Sequence, residues 1–212
     1  MPTGRPLRAR WLIGLAALGG LLFTAGLLVE VRCAVGHCPA PRVQRLFDLD
    51  GLGGLPRLFT TGVFVAVAVL AALAAARSTR SVRAWWAAVA AVGVVLAVAK
   101  AVSSHSTLEQ DGGRYVTLAG GVVVTVIGLS VLWRAGRAWS VPAASPVCVA
   151  LAVYAVAALG LDQVTAAVTK VTSSPVALAV ATFVEEGGEA VTALVLLAAV
   201  VRAAGGAQPA RR

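Results

Sequence analysis

Residues 176–201 read VALAVATFVEEGGEAVTALVLLAAVV, an apolar run broken only by three glutamates, two glycines and two threonines. As an α-helix these 26 positions extend about 39 Å, more than the ~30 Å hydrocarbon thickness of a bilayer. Apolar and polar residues do not alternate with the period of two that a half-buried strand requires. The segment is therefore expected to cross a membrane as a helix.

The rest of the chain repeats this pattern. Further apolar runs lie near 11–31, 58–76, 84–103, 115–133 and 147–168, giving six candidate spans. Of the 212 residues, 59% are hydrophobic and 13% charged, whereas an average soluble domain has about 25% charged residues. The expected fold is all-α, a polytopic six-helix bundle, because backbone groups in lipid must be bonded within their own segment. A β-barrel would need short alternating strands. The expected organisation is a basic N-terminus at 1–10, one transmembrane domain over 11–203 with a loop at 32–57, and a tail at 204–212. The first run is too long for the apolar part of a signal peptide and is taken as a retained span.

The net charge of +9 falls in short clusters between spans, not in a basic stripe interleaved with aromatics. That distribution argues for topology signals and against nucleic acid as a partner. With both termini inside, inner segments hold eleven arginines (5, 8, 10, 77, 80, 83, 134, 137, 202, 211, 212). Outer segments hold six basic residues, Arg32, Arg42, Arg45, Arg57, Arg114 and Lys170. The excess predicts cytoplasmic termini in an inner (plasma) membrane. The use of arginine over lysine, with abundant Ala, Val and Gly, fits a high-GC bacterial genome. Trp85, Trp86, Trp133 and Trp139 are read as anchors at the inner interface. The lipid bilayer is the expected partner, and a small channel or carrier would be expected to form a homo-oligomer.

In the loop, Cys33 and Cys38 are five positions apart, and outside the cytoplasm a local disulfide is the plain reading. A metal held by Cys33, His37 and Cys38 lacks a fourth ligand. The segment DLDG at 48–51 begins like a calcium loop, but the later acidic positions are missing. Val43, Leu46, Phe47, Leu49 and Leu52 suit a short helix lying on the membrane surface.

The glutamates carry the functional signal. At 100° per residue, Glu189 and Glu186 lie at about 40° and 100° from Glu185, with Thr182 near 60° and Thr192 near −20°. All five share about 120° of arc, a face for the bundle interior or a wet cavity. In the fifth span Asp162, Thr165 and Thr169 form a matching stripe beside Gln163. In the third, Lys100, Ser103, Ser104 and Thr107 do so, followed by His105 and Glu109. The expected substrate- or ion-binding residues are Glu185, Glu186, Glu189, Asp162, Lys100 and His105. Each unpaired charge at a span centre costs on the order of 2.5–3.5 kcal/mol, and the four acids together approach roughly 10 kcal/mol. One lysine cannot neutralise four carboxylates, and like charges oppose one another's ionisation, so fewer than three glutamate charges are expected at neutral pH.

Three function classes fit. The favoured one is binding or transport of protons, a cation or a small solute at the carboxylate cluster. The second is a structural or accessory membrane protein in which the cluster only ties helices together. The third is an intramembrane hydrolase with a metal on His105, Asp162, Glu185 and Glu189. Catalysis is the least favoured, since the chain has no P-loop, no H-E-x-x-H and no G-x-S-x-G. No cofactor is expected beyond a metal or other cation at the cluster.

Overall fold

A computed structural model describes residues 5–102 and 114–206. These form seven helices: α1 (Arg5–Ala34), α2 (Pro41–Phe47), α3 (Leu55–Ala76), α4 (Arg80–Val102), α5 (Arg114–Ala138), α6 (Ala144–Val171) and α7 (Pro175–Gly206). All but α2 are long and apolar enough to cross a membrane, and no strand occurs among the described residues. The helices run a few residues beyond the apolar runs, because backbone hydrogen bonding continues past the lipid-facing composition. His105 lies outside the described residues.

α3 and α4 form one tight antiparallel pair, joined by the turn at 77–79. The turn is closed by the Arg77 N–H on the carbonyls of Ala74 and Ala75, and by the Ser78 hydroxyl on that of Ala74 at 2.7 Å. α6 and α7 form a second pair, while α7 also packs on α1 and α3 and so lies at the centre. α5 packs mainly on α6. The core between these helices is apolar, with Val67, Ala71, Trp85, Trp86, Leu197 and Val200 nearly or fully buried. Large apolar side chains also cover the outside, Val124 at 71% and Val156 at 74% exposure, as expected of helices whose outer solvent is lipid.

Two tryptophans depart from the interface reading. Trp85 and Trp86 are buried inside the bundle, edge to face at 5.1 Å. The Trp85 indole N–H donates to the Leu132 carbonyl at 3.0 Å. Gly136 makes room for it, since a β-carbon there would stand 2.9 Å from the indole nitrogen.

The paired glycines of α7 have unequal roles. The helix passes through Gly187 and Gly188 without a break. A β-carbon on Gly188 would collide with Leu161 of α6, whereas one on Gly187 would meet nothing within 4 Å. Gly188→Val should therefore destabilise the protein by about 1–3 kcal/mol through overpacking. Gly187→Ala should be neutral or stabilise by up to about 1 kcal/mol through helix propensity. Thermal unfolding in detergent reads both.

The loop after α1 does more than connect. A disulfide joins Cys33 to Cys38, and the His37 ring hydrogen-bonds the Val35 carbonyl at 3.1 Å. α2 exposes Val43 and Leu46, consistent with a surface helix, but Leu49 does not lie with them. The chain turns inward after Phe47 and buries Leu49 completely, against Phe23 of α1 and Ala190 of α7. Gly26 permits this approach, because a β-carbon there would clash with the Leu49 side chain.

Candidate functional site

Helix α7 positions the carboxylates. Glu186 and Glu189 are three residues apart, about 60° around the helix, so both project toward the interior. They are 4% and 8% exposed, the two buried acidic residues among those described. Lys100, in the last turn of α4, reaches between them. Its Nζ lies 2.8 Å and 2.7 Å from the two oxygens of Glu186 and 2.8 Å from Oε2 of Glu189. The lysine thus points into the bundle and does not snorkel to the surface. α4 shares almost no backbone contact with α7, so this bridge spans helices that are not packed face to face.

Glu185 and Asp162 sit beside this trio on the α6 side. Glu185 lies within electrostatic reach of Asp162, Glu189 and Lys100, while the Thr165 hydroxyl donates to the Ala181 carbonyl of α7 at 3.4 Å. Asp162 accepts from the Gln163 amide at 2.7 Å. Thr192 turns back on its own helix, donating to the carbonyls of Gly188 and Glu189 at 2.9 and 3.0 Å. Its place on the polar face reflects local backbone bonding.

The layer has a floor and a roof of different chemistry. Below it, the Phe64 ring of α3 meets Tyr154 of α6 edge to face, with centroids 4.9 Å apart. Beyond that pair lies the apolar core. Level with the carboxylates, on the α1 side, Leu49 packs on Ala190, the residue that follows Glu189. The Leu49 N–H donates to Glu30 Oε1 at 3.2 Å. Asp50 is ion-paired with Arg57 at 2.5 Å, the Arg57 side chain 4% exposed and that of Asp50 66% exposed.

Sequence reasoning missed this roof. Arg57 reads as a loop arginine, yet it sits buried in the first turn of α3. Glu30 is hidden in the polar end of the first span. At DLDG the Asp48 carboxylate accepts the Asp50 N–H at 3.2 Å, an ordinary local turn. No group of three or more His, Cys, Asp or Glu side chains is arranged to hold a metal among the described residues. Glu189, one of the ligands required by the hydrolase reading, is occupied by Lys100.

No curated protein and no solved structure matches the chain. Residues 15–204 match the family described as "Domain of unknown function (DUF8692)". The match covers nearly the whole six-helix bundle, and the chain belongs to this family.

Proposed function

We propose that this member of the DUF8692 family binds a proton or small cation within the bilayer at Glu186 and Glu189, and exchanges it across the membrane. The observation that carries this reading is one ammonium group held between two buried carboxylates. Lys100 neutralises one negative charge. With both glutamates ionised, a net charge remains in a low-dielectric site, and a proton or external cation offsets it. Lys100 is then a tethered counter-ion that competes with the bound species, while Glu185 and Asp162 keep the neighbourhood attractive to cations. His105, the remaining expected site residue, belongs to the same proposal on sequence grounds alone.

A specific observation also supports a structural role. α4 and α7 share little backbone contact, so the Lys100 bridge can serve as a strut between them. Both readings require the ion pairs, but they differ in turnover. Protein reconstituted in vesicles with an internal pH dye should dissipate an imposed pH or monovalent-cation gradient faster than protein-free vesicles. A rate equal to the protein-free leak would leave only the strut.

The proposal places residues 11–203 as one domain in a bacterial inner membrane, both termini cytoplasmic, on the eleven-to-six distribution of basic residues. Reporter fusions after Arg80 and Arg202 should report cytoplasm, and one near Gly112 the opposite side. An external signal at Arg80 would invert the topology and turn the α2 loop inward.

A further inference from the structure

We infer that Glu186 and Glu189 are reached from the α2 side of the membrane along one face of α3, past Arg57 and Thr61. The segment Asp48–Gly54 closes this route, held in place by the Asp50–Arg57 ion pair and by Leu49 anchored between α1 and α7. The inference rests on the ion-site reading for its purpose, but its geometry and its test are independent of flux.

Among the described residues, four buried side-chain atoms lack a hydrogen-bond partner: Arg57 Nε, Arg57 Nη1, Thr61 Oγ1 and Glu186 Oε2. Glu186 Oε2 keeps its ion-pair contact with Lys100, but the aligned hydrogen bond goes to Oε1. Nearly all buried polar groups in proteins are partnered by protein or by water, so each exception calls for a physical reason.

These atoms form one strip. Arg57 and Thr61 are one turn apart on the same face of α3. Gly93 of α4 lies against the Ala68 backbone of α3, where a β-carbon would stand 3.0 Å from the Ala68 nitrogen. The two helices are antiparallel, so seven residues toward the α2 side from each brings Thr61 level with Lys100. Lys100 holds Glu186, and Arg57 stands one turn nearer the loop. The polar strip therefore runs from the loop to the carboxylates, a path that water and protons can follow.

The opposite direction is closed by apolar side chains. Phe64, on the next turn of α3, closes on Tyr154, and the buried core continues below it. Access from that side would have to part the core.

Leu49 is fully buried between α1 and α7, while the same segment carries Asp50, whose only described ion pair is with Arg57 at the head of the strip. Gly51, Gly53 and Gly54 follow, and Gly53 adopts φ +82°, a left-handed conformation that glycine takes without strain. Releasing the Asp50–Arg57 pair or shrinking Leu49 should thus open the strip.

Cysteine accessibility in the full-length protein tests this. In a Cys148→Ser background that keeps the Cys33–Cys38 disulfide, Thr61→Cys is exposed in sealed vesicles to a membrane-impermeant cationic methanethiosulfonate. Reaction from the α2 side should be slow, and Asp50→Asn or Leu49→Ala should each accelerate it about tenfold, the effect of losing one packing or ion-pair contact on an opening equilibrium. Leu49→Ala changes no charge and so controls for the electrostatic effect of Asp50→Asn on the thiol. Ala71→Cys, about three turns deeper, should stay unreactive in all backgrounds. The inference is overturned if neither variant accelerates the Thr61→Cys reaction, if the reaction is faster from the opposite side, or if Ala71→Cys reacts equally. Absent flux with accelerated labelling would sink the carrier reading and leave the route standing.

Discussion

Lys100→Met should lower the stability of the protein in detergent by about 3–5 kcal/mol, the loss expected when one partner of a buried ion pair is removed. Methionine keeps the length and apolar stem of lysine, so packing changes little. What changes is that Glu186 and Glu189, at 4% and 8% exposure, face each other without a counter-charge. A surface ion pair would give at most about 1 kcal/mol, so the size of the effect separates a buried bridge from an exposed one. The triple variant Lys100→Met, Glu186→Gln, Glu189→Gln should recover most of the loss, because no buried charge is left without a partner. Equilibrium unfolding followed by tryptophan fluorescence measures both. Native-like stability of Lys100→Met alone would mean that the ammonium does not neutralise the carboxylates in the membrane.

The architecture was legible because lipid imposes so few solutions. A span needs about 20 apolar residues with every backbone group bonded internally, and the runs at 58–76 and 147–168 announce this by composition alone. The inward turn of Glu186 and Glu189 was also legible, since three residues on a helix stay on one side. The partner was only half legible: Lys100 sits near a helix end, where length lets it either snorkel or pair. The roof was not legible at all. Whether Leu49 lies on the surface or inserts between helices depends on Gly26 and Ala190, which are 23 residues and 141 residues away in the chain. Arg57 has the same sequence neighbourhood as a solvated arginine at a helix start, and only the fold buries it. Trp85 and Trp86 failed for the same reason. Aromatic residues at the start of a span resemble an interface belt until a small residue on another helix, here Gly136, gives them room inside.

Glu186→Gln and Glu189→Gln address the central claim. Glutamine keeps the size and much of the hydrogen bonding of glutamate, so the contact with Lys100 can survive in modified form. It removes the titratable charge, and with it the ability to take up and release a proton or to hold a cation. The two carboxylates share one ammonium and act as one coupled unit, so either change should disable the site. If the glutamates only tie α4 to α7, glutamine should be tolerated and only a bulky apolar residue should harm assembly. The direct measurement compares gradient dissipation by wild-type protein and the two variants, each in vesicles at matched protein density and shown to be monodisperse before reconstitution. Wild-type vesicles should exceed the protein-free leak, and each variant should fall by about tenfold or more, as expected for loss of a group on which turnover depends. Full wild-type flux retained by both variants would contradict the assignment of Glu186 and Glu189 as the exchanging groups.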